Sequence, residues 1–191
     1  MLKQLVLARY EEDLNWVIEN NLMPYTKIYN KGSELPTKYT NVIKLPNVGR
    51  EAHTYLSHII SNYEELAEVT YFCQGYPFDH SLDFVKKFNN LKITKFTYLG
   101  DHSHTIYKDY LCDEKVYDKN LPLVADTLEL TSLLPNVYDF KSGAIFAVPK
   151  QAILNHPLNY YKKAIKFVDS DSVGVAAHSF ERLWEFIFKT Q

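Results

Sequence analysis

Five consecutive residues, Asn47-Val48-Gly49-Arg50-Glu51, carry the clearest chemical pattern in this sequence. Asn47 is a good N-cap residue, and Gly49 would leave the first backbone N–H groups of a helix open to a ligand. Arg50 adds a planar cation, which suits a phosphate or a carboxylate. We therefore expect a site for a phosphorylated ligand at a helix start, although an ordinary capped helix with Arg50 in solvent would give the same pattern.

The segments around this motif alternate between strand-like and helix-like patterns. Apolar, β-rich runs predict strands at residues 5–9, 26–29, 42–45 and 69–73. Apolar residues at helical spacing predict a short helix near residues 14–18 and a longer one over residues 47–60. This order predicts a single α/β domain over residues 1–191, with a mainly parallel central sheet flanked by helices.

Polar side chains follow three of these predicted strands. In open α/β sheets, ligands bind beyond the carboxyl ends of the strands, so these side chains should lie near one another. Most of the 15 tyrosines should be core rings, and Tyr10 and Tyr29 stand out only because they lie at strand ends. The candidate ligand-binding residues are Arg9, Tyr10, Tyr29, Asn30, Lys31, Asn47, Arg50 and Gln74.

The second half of the chain is less regular. We predict a helix at residues 81–88, strands at 95–99 and 142–148, and a C-terminal helix whose apolar stripe includes Trp184 and excludes Arg182. Residues 100–125 are rich in aspartate and show little periodicity, which predicts long loops; such loops in a compact domain are often functional.

Bulk composition argues against several classes of protein. The net charge is -2 and no basic run occurs, so we expect no nucleic-acid partner. The two cysteines are too few for a disulfide framework. The apolar stretch at the start of the chain is too short for a signal peptide, and no run of 18 apolar residues occurs. We therefore predict a cytoplasmic protein without a membrane span.

Taken in order, these segments resemble the glycosyltransferase A fold of nucleotide-diphospho-sugar transferases. Residues 5–13 resemble its first strand and the turn that receives the nucleobase, and residues 29–32 stand where the second strand approaches base and ribose. Residues 47–51 are similar to the Asn-x-Gly-Arg-Asp/Glu helix start of several branches, and residues 142–148 to a later strand on the acceptor side. The blocks 47–55, 72–80 and 181–184 also resemble an uncharacterised family of similar length.

The resemblance implies a glycosyltransferase that moves a sugar from a nucleoside diphosphate sugar to the hydroxyl group of a carbohydrate acceptor. A UDP-sugar is the default donor, taken from family frequency. Residues 1–80 would form the nucleotide-binding half, and residues 81–191 the acceptor-side half.

One departure from the family pattern concerns the metal. The family usually places Asp-x-Asp after the fourth strand to hold Mn²⁺ or Mg²⁺, whereas here Asp79 and His80 follow a turn. A carboxylate with an imidazole can bind Mn²⁺, and Asp83 could assist. Alternatively, Asp79 and His80 form an ordinary turn, and Arg50, Lys31 or the helix start neutralises the diphosphate.

An inverting transfer would also need a base for the acceptor hydroxyl. Glu181 and His178 are one turn apart on the C-terminal helix and form the candidate pair, with a surface salt bridge as the alternative use of Glu181. The carboxylates Asp101, Asp169 and Asp171 remain open choices. The candidate catalytic residues are Asp79, His178 and Glu181.

Two other functions stay open. A metal-dependent nucleotide or phosphoester hydrolase would need Asp79 and His80 to converge with His102 or His104 around a metal. A non-catalytic carbohydrate-binding module would bind its ligand without metal dependence and without turnover.

Overall fold

A sheet of six strands forms the centre of the computed structural model, which describes residues 2–107, 110–113, 116–172 and 174–189. Its strands are β1 (Lys3–Arg9), β2 (Thr26–Asn30), β3 (Val42–Lys44), β4 (Val69–Gln74), β5 (Thr97–Tyr98) and β10 (Phe146–Pro149). They lie in the order β3-β2-β1-β4-β10-β5. The first four are parallel, and β10 runs antiparallel to both of its neighbours.

A smaller antiparallel sheet lies within the stretch that the sequence predicts as loops. It comprises β6 (Ser103–Tyr107), β7 (Leu111–Cys112), β8 (Val116–Tyr117) and β9 (Tyr138–Lys141), in the order β8-β7-β6-β9. The expectation of long loops over residues 100–125 is therefore wrong. Polar residues hold this sheet together locally, because Asp113 accepts hydrogen bonds from the Thr105 N–H at 2.9 Å and lies 2.7 Å from His104 Nδ1.

Helices cover both faces of the central sheet. They are α1 (Asn15–Glu19), α2 (Arg50–Ser61), α3 (Phe84–Asn90), α4 (Leu121–Thr127), α5 (Lys150–Leu154), α6 (Leu158–Ile165) and α7 (Val175–Phe188). Val6 and Phe72 pack on the side of α2, α6 and α7, whereas Leu5, Leu7 and Cys73 pack on the side of α1 and α3. The α/β class with a mainly parallel sheet flanked by helices is confirmed. None of the helices in the described ranges is long and apolar enough to cross a bilayer.

Helix α2 begins later than the sequence predicts. Its N-cap position is Gly49 rather than Asn47, and no side chain caps it. Both Gly49 (φ 55°) and Arg50 (φ 46°) have left-handed backbone conformations, and the Gly49 N–H donates to the carbonyl oxygen of Asp171 at 2.8 Å. The assignment of Asn47 as the cap is wrong because this turn is fixed by the segment before α7 instead.

Helix α7 buries more than its predicted apolar stripe. Arg182 is buried, 3.5 Å from Asp118 Oδ2, and its guanidinium group lies over the ring of Phe140. The prediction that Arg182 lies on the polar side is wrong, because the second sheet covers that face of the helix. Asp171 caps α7, since its carboxylate accepts hydrogen bonds from the N–H groups of residues 174, 175 and 176.

Candidate functional site

A cavity of about 300 Å³ lies at the carboxyl edge of the central sheet, between β1 and β4. From β1 the chain builds β2 and β3 on one side, and then crosses to place β4 on the other side. Ligands of open α/β sheets bind at such switch points. We call this cavity the β1–β4 cleft; it is lined by Ala8, Arg9, Tyr10, Glu12, Lys31, Asn47, Arg50, Glu51 and Gln74.

Six of the eight candidate binding residues line the cleft, but Arg9 has a structural use. Its guanidinium group donates to the Asn30 side-chain oxygen at 2.8 Å, to the Ser33 carbonyl oxygen at 2.7 Å and to the Glu12 carbonyl oxygen at 3.1 Å. Arg9 is buried, as is Asn30. Together they fasten the loops after β1 and β2, which form one wall of the cleft.

Tyr10 and Tyr29 differ although both lie at strand ends. Tyr10 is 51% exposed at the rim of the cleft, where its ring can meet a ligand. Tyr29 is 2% exposed and its hydroxyl group lies 3.0 Å from His58 Nδ1 inside the core. Burial raises the pKa of Tyr29 to about 12. Tyr29 and Asn30 do not line the cleft, because both side chains are used in packing and in loop anchoring.

Lys31 connects the end of β2 to the Gly49–Arg50 turn. Its Nζ atom donates to the carbonyl oxygen of Val48 at 2.6 Å and also to that of Arg50. Burial lowers the pKa of Lys31 to about 8, against the opposing effect of the nearby Glu51 carboxylate. Lys31 therefore brings a positive charge to the cleft at neutral pH.

Arg50 brings the second positive charge. Its side chain is exposed and passes close to Gly174, where an added Cβ would come within 2.6 Å of Arg50 Nε. Among the described residues, its guanidinium group has no hydrogen-bond or ion-pair partner. The Arg50 side chain thus passes over Gly174, and its guanidinium donors stay available to a ligand. Asn47 is also exposed, and Gln74 donates to the Tyr76 carbonyl oxygen at 3.1 Å.

Glu51 lines the cleft but is not among the eight residues predicted to bind the ligand. It lies half-buried in the first turn of α2. Burial is the main cause that raises the pKa of Glu51 to about 7; Glu181 acts in the same direction, whereas Arg50 and Lys31 act against it. The sequence signal that could have pointed to Glu51 was its place directly after Arg50 at a helix start, where acidic residues are favoured by the helix dipole.

Glu181 and His178 approach the same region from α7. Glu181 accepts a hydrogen bond from the Gly143 N–H at 2.7 Å, and this bond fixes the carboxylate between α7 and the start of β10. His178 is exposed, and partial desolvation together with Arg50 and Arg182 lowers its pKa. Glu181 makes no salt bridge with Arg182, whose partner is Asp118.

Asp79 and His80, the predicted metal ligands, have different surroundings. Asp79 is exposed, and the His80 ring lies against Gly143 with its Nδ1 atom 3.3 Å from Ser142 Oγ. His80 and His102 have ring centroids 6.1 Å apart. No group of three or more His, Cys, Asp or Glu side chains that could hold a metal ion occurs in the described part of the chain. Binding of Mn²⁺ or Mg²⁺ by Asp79 and His80 stays a prediction, and the described residues give this pair no cluster of further protein ligands.

Comparisons with known proteins identify one family, and its match covers the residues of the cleft. No curated protein and no solved structure matches the chain. A family described as "Protein of unknown function (DUF3431)" matches residues 5–117, which is more than half of the chain. The match includes every residue that lines the β1–β4 cleft, whereas Gly143, Asp171 and Glu181 lie beyond it. The chain belongs to this DUF3431 family.

Proposed function

We propose that the β1–β4 cleft binds a nucleoside diphosphate sugar and that the chain is a glycosyltransferase acting on a carbohydrate acceptor. The observation that carries this proposal is the position of two cations, Lys31 and Arg50, at the switch point of an α/β sheet. A cavity of about 300 Å³ matches the lower end of ordinary ligand pockets. A UDP-sugar remains the default donor.

The start of α2 supports binding of a diphosphate. The first hydrogen bond inside the helix runs from the His53 N–H to the Gly49 carbonyl oxygen at 3.0 Å, so the three N–H groups before His53 have no carbonyl partner within the helix. One of them, the Glu51 N–H, faces the carboxylate of its own residue. Helix N-termini favour anions through these groups and through the helix dipole. Arg50 can add a bidentate contact to phosphate oxygens.

Lys31 and Arg50 would also stabilise the departing nucleoside diphosphate. The described residues give Asp79 and His80 no cluster of three metal ligands, and we derive no step through a metal ion. Charge that develops on a leaving phosphate oxygen is stabilised by cations already fixed nearby, which need no rearrangement during the reaction. Lys31 is fixed by two backbone carbonyl groups and Arg50 by Gly174.

The hydrolase alternative has His80 and His102 near each other, with ring centroids 6.1 Å apart, but no third metal ligand joins them in the described part of the chain. His104 is not available to such a site, because it belongs to the second sheet, where it pairs with Asp113 at 2.7 Å. The carbohydrate-binding module uses the same cleft as our proposal. It differs in predicting ligand binding without release of a nucleoside diphosphate.

The test is a thermal-shift screen of nucleotides and nucleotide sugars, with and without Mn²⁺. A ligand at 100 times its Kd stabilises a protein by about 2.7 kcal/mol, which corresponds to about 5–10 °C for a chain of this size. Arg50→Gln should abolish most of this shift. Lys166→Gln, which removes an exposed charge at the end of α6, is the matched control and should keep it.

Two results would contradict the proposal. If no nucleotide or nucleotide sugar raises the melting temperature at millimolar concentration, the cleft is not a nucleotide site. If a nucleotide sugar binds but no acceptor preparation triggers release of the nucleoside diphosphate, the binding module is the better interpretation.

A further inference from the structure

We propose that a second cavity binds an amphiphilic anion, with the apolar chain of the ligand inside the cavity and its carboxylate on Lys3 and Lys92. This amino-edge cavity has a volume of about 510 Å³, against about 300 Å³ for the β1–β4 cleft. It is lined by residues at the starts of β1 and β4 and just before β2, so it lies at the edge of the sheet opposite to the cleft. The proposal is therefore independent of the function proposed for the cleft.

The lining of the amino-edge cavity is mostly apolar. Leu2, Tyr25 and Val69 come from the side of the sheet, and Leu91 and Ile93 come from the segment that follows α3. Leu2 is 82% exposed and Leu91 is 44% exposed, so the apolar surface continues from the cavity to its rim. The volume is within the range of ordinary small-molecule pockets, and the apolar wall suits a hydrocarbon chain.

Lys3 supplies a fixed positive charge at this cavity. Its Nζ atom donates to the carbonyl oxygen of Phe88 at 3.1 Å, and it lies 4.3 Å from the ring centre of Phe88 and 5.5 Å from that of Tyr25. An ammonium group has three donors, so donors remain for a ligand. Partial burial lowers the pKa of Lys3, and no carboxylate of the described chain forms a salt bridge with it. A partly desolvated cation without a counter-ion is stabilised by an anion that binds beside it.

Lys92 adds a second cation from a different part of the chain. It lines the same cavity from the segment after α3, and it is exposed. Within the described ranges it makes no hydrogen bond or ion pair, and the residues that line the cavity there include no acidic side chain. Two cations beside an apolar cavity fit a ligand with one negative end and one apolar end.

The shape and the charge of the cavity narrow the class of ligand. A concave cavity can enclose the chain of one molecule, whereas the flat surface of a bilayer would touch the rim and leave the interior without contacts. A carboxylate suits this position better than a phosphate monoester, because the more highly charged group would lose more hydration beside an apolar wall. We therefore assign the cavity to a single-chain carboxylate.

The test is isothermal titration calorimetry of the full chain at pH 7.5 with octanoate, octan-1-ol and acetate. Octanoate carries both the chain and the charge, octan-1-ol carries only the chain, and acetate carries only the charge. We expect octanoate to bind about tenfold more tightly than octan-1-ol, because its carboxylate accepts charge-assisted hydrogen bonds. It should bind more than about 100-fold more tightly than acetate, which has no chain to bury.

Variants of the lysines separate the charge from the packing. Lys3→Met keeps an apolar stem, so octanoate should bind about tenfold more weakly while the affinity for octan-1-ol stays the same. Lys3→Arg keeps the charge and should bind octanoate within about threefold of the wild type. Lys92→Met should weaken octanoate binding by about two- to threefold, because this cation is exposed. The matched control is Lys86→Met, which removes an exposed charge from α3 outside the cavity and should behave as the wild type.

Melting curves without ligand first show whether each variant is folded, since Lys3 also contacts Phe88. If Lys3→Met does not fold, Lys3→Arg and Lys92→Met carry the test. Octanoate binding that is no tighter than octan-1-ol binding overturns the proposal, as does a folded Lys3→Met variant with wild-type affinity for octanoate. Sedimentation of the chain with anionic phospholipid vesicles, without binding of octanoate, would overturn it in favour of a membrane surface. Tight binding that needs both the chain and the lysine charges supports it.

Discussion

Replacement of Glu51 by glutamine should change how stability depends on pH, even without a ligand. The folded chain holds the Glu51 proton until about pH 7, because burial raises the pKa from the ordinary value of 4.5. The unfolded chain releases this proton near pH 4.5. Between these two pH values the folded state binds more protons, so the contribution of Glu51 to stability falls as pH rises, and the loss is complete above pH 7.

The size of this effect follows from the two pKa values. Each pKa unit corresponds to about 1.4 kcal/mol, and some solvent contact of the side chain reduces the total, so we expect about 2–3 kcal/mol. Glutamine has no charge to bury. Relative to the wild type, Glu51→Gln should therefore gain about 2–3 kcal/mol on going from pH 4 to pH 8, or about 5–10 °C in melting temperature.

Urea unfolding of the wild type and the variant at pH 4, 6 and 8 measures this difference. Comparison at each pH cancels the contributions of all other titrating groups. The control is Glu185→Gln, whose difference from the wild type should stay within about 0.5 kcal/mol at each pH. A Glu51→Gln difference that does not vary with pH would refute the argument that burial holds a proton on Glu51.

Three further substitutions test other parts of the site. Tyr29→Phe should cost about 1–2 kcal/mol in urea unfolding, because it removes a buried partner of His58, and should leave nucleotide-sugar affinity unchanged; weakened binding would return Tyr29 to the site. Lys31→Met should weaken nucleotide-sugar binding at pH 7 by more than about tenfold in calorimetry. It should also remove the decrease in affinity that we expect above pH 8, where Lys31, with a pKa of about 8, loses its charge. An unchanged affinity would exclude Lys31 as a ligand contact. Gly174→Ala places a Cβ against Arg50 at a residue with φ 77°, so it should lower the free energy of unfolding by about 1–2 kcal/mol. It should also weaken nucleotide-sugar binding in the thermal-shift assay. Full binding would show that Arg50 does not need its contact with Gly174.

The strands of the first half could be located from sequence for a physical reason. Because helices cover both faces of the parallel sheet, β1 and β4 are nearly continuous apolar runs, and such runs stand out against their polar flanks. The predicted strand ends lie within two residues of the observed ones. The second sheet gives no comparable signal, since β7 and β8 are two residues long and no periodicity can be read from two residues.

The site was only partly predictable, because its details depend on distant parts of the chain. Position at a strand end did not distinguish Tyr10 from Tyr29, since the direction of a side chain there depends on the local register. Asn47 has the chemistry of a cap, but the Gly49 N–H is taken by the Asp171 carbonyl oxygen, far along the chain. The pKa of Glu51 is raised mainly by burial, to which the distant Glu181 on α7 adds.

Helix α7 has a consequence for how the chain is made. The Gly49–Arg50 turn is completed by the carbonyl group of Asp171 and by Gly174. During synthesis, the sheet strands β1 to β4 leave the ribosome long before these residues. We expect a nascent chain that is stalled before residue 168 to contain strands β1 to β4 but not the finished site. Binding of a nucleotide sugar by such a stalled chain would disprove this expectation. The cleft would then be able to bind a nucleotide sugar only after α7 has been synthesised.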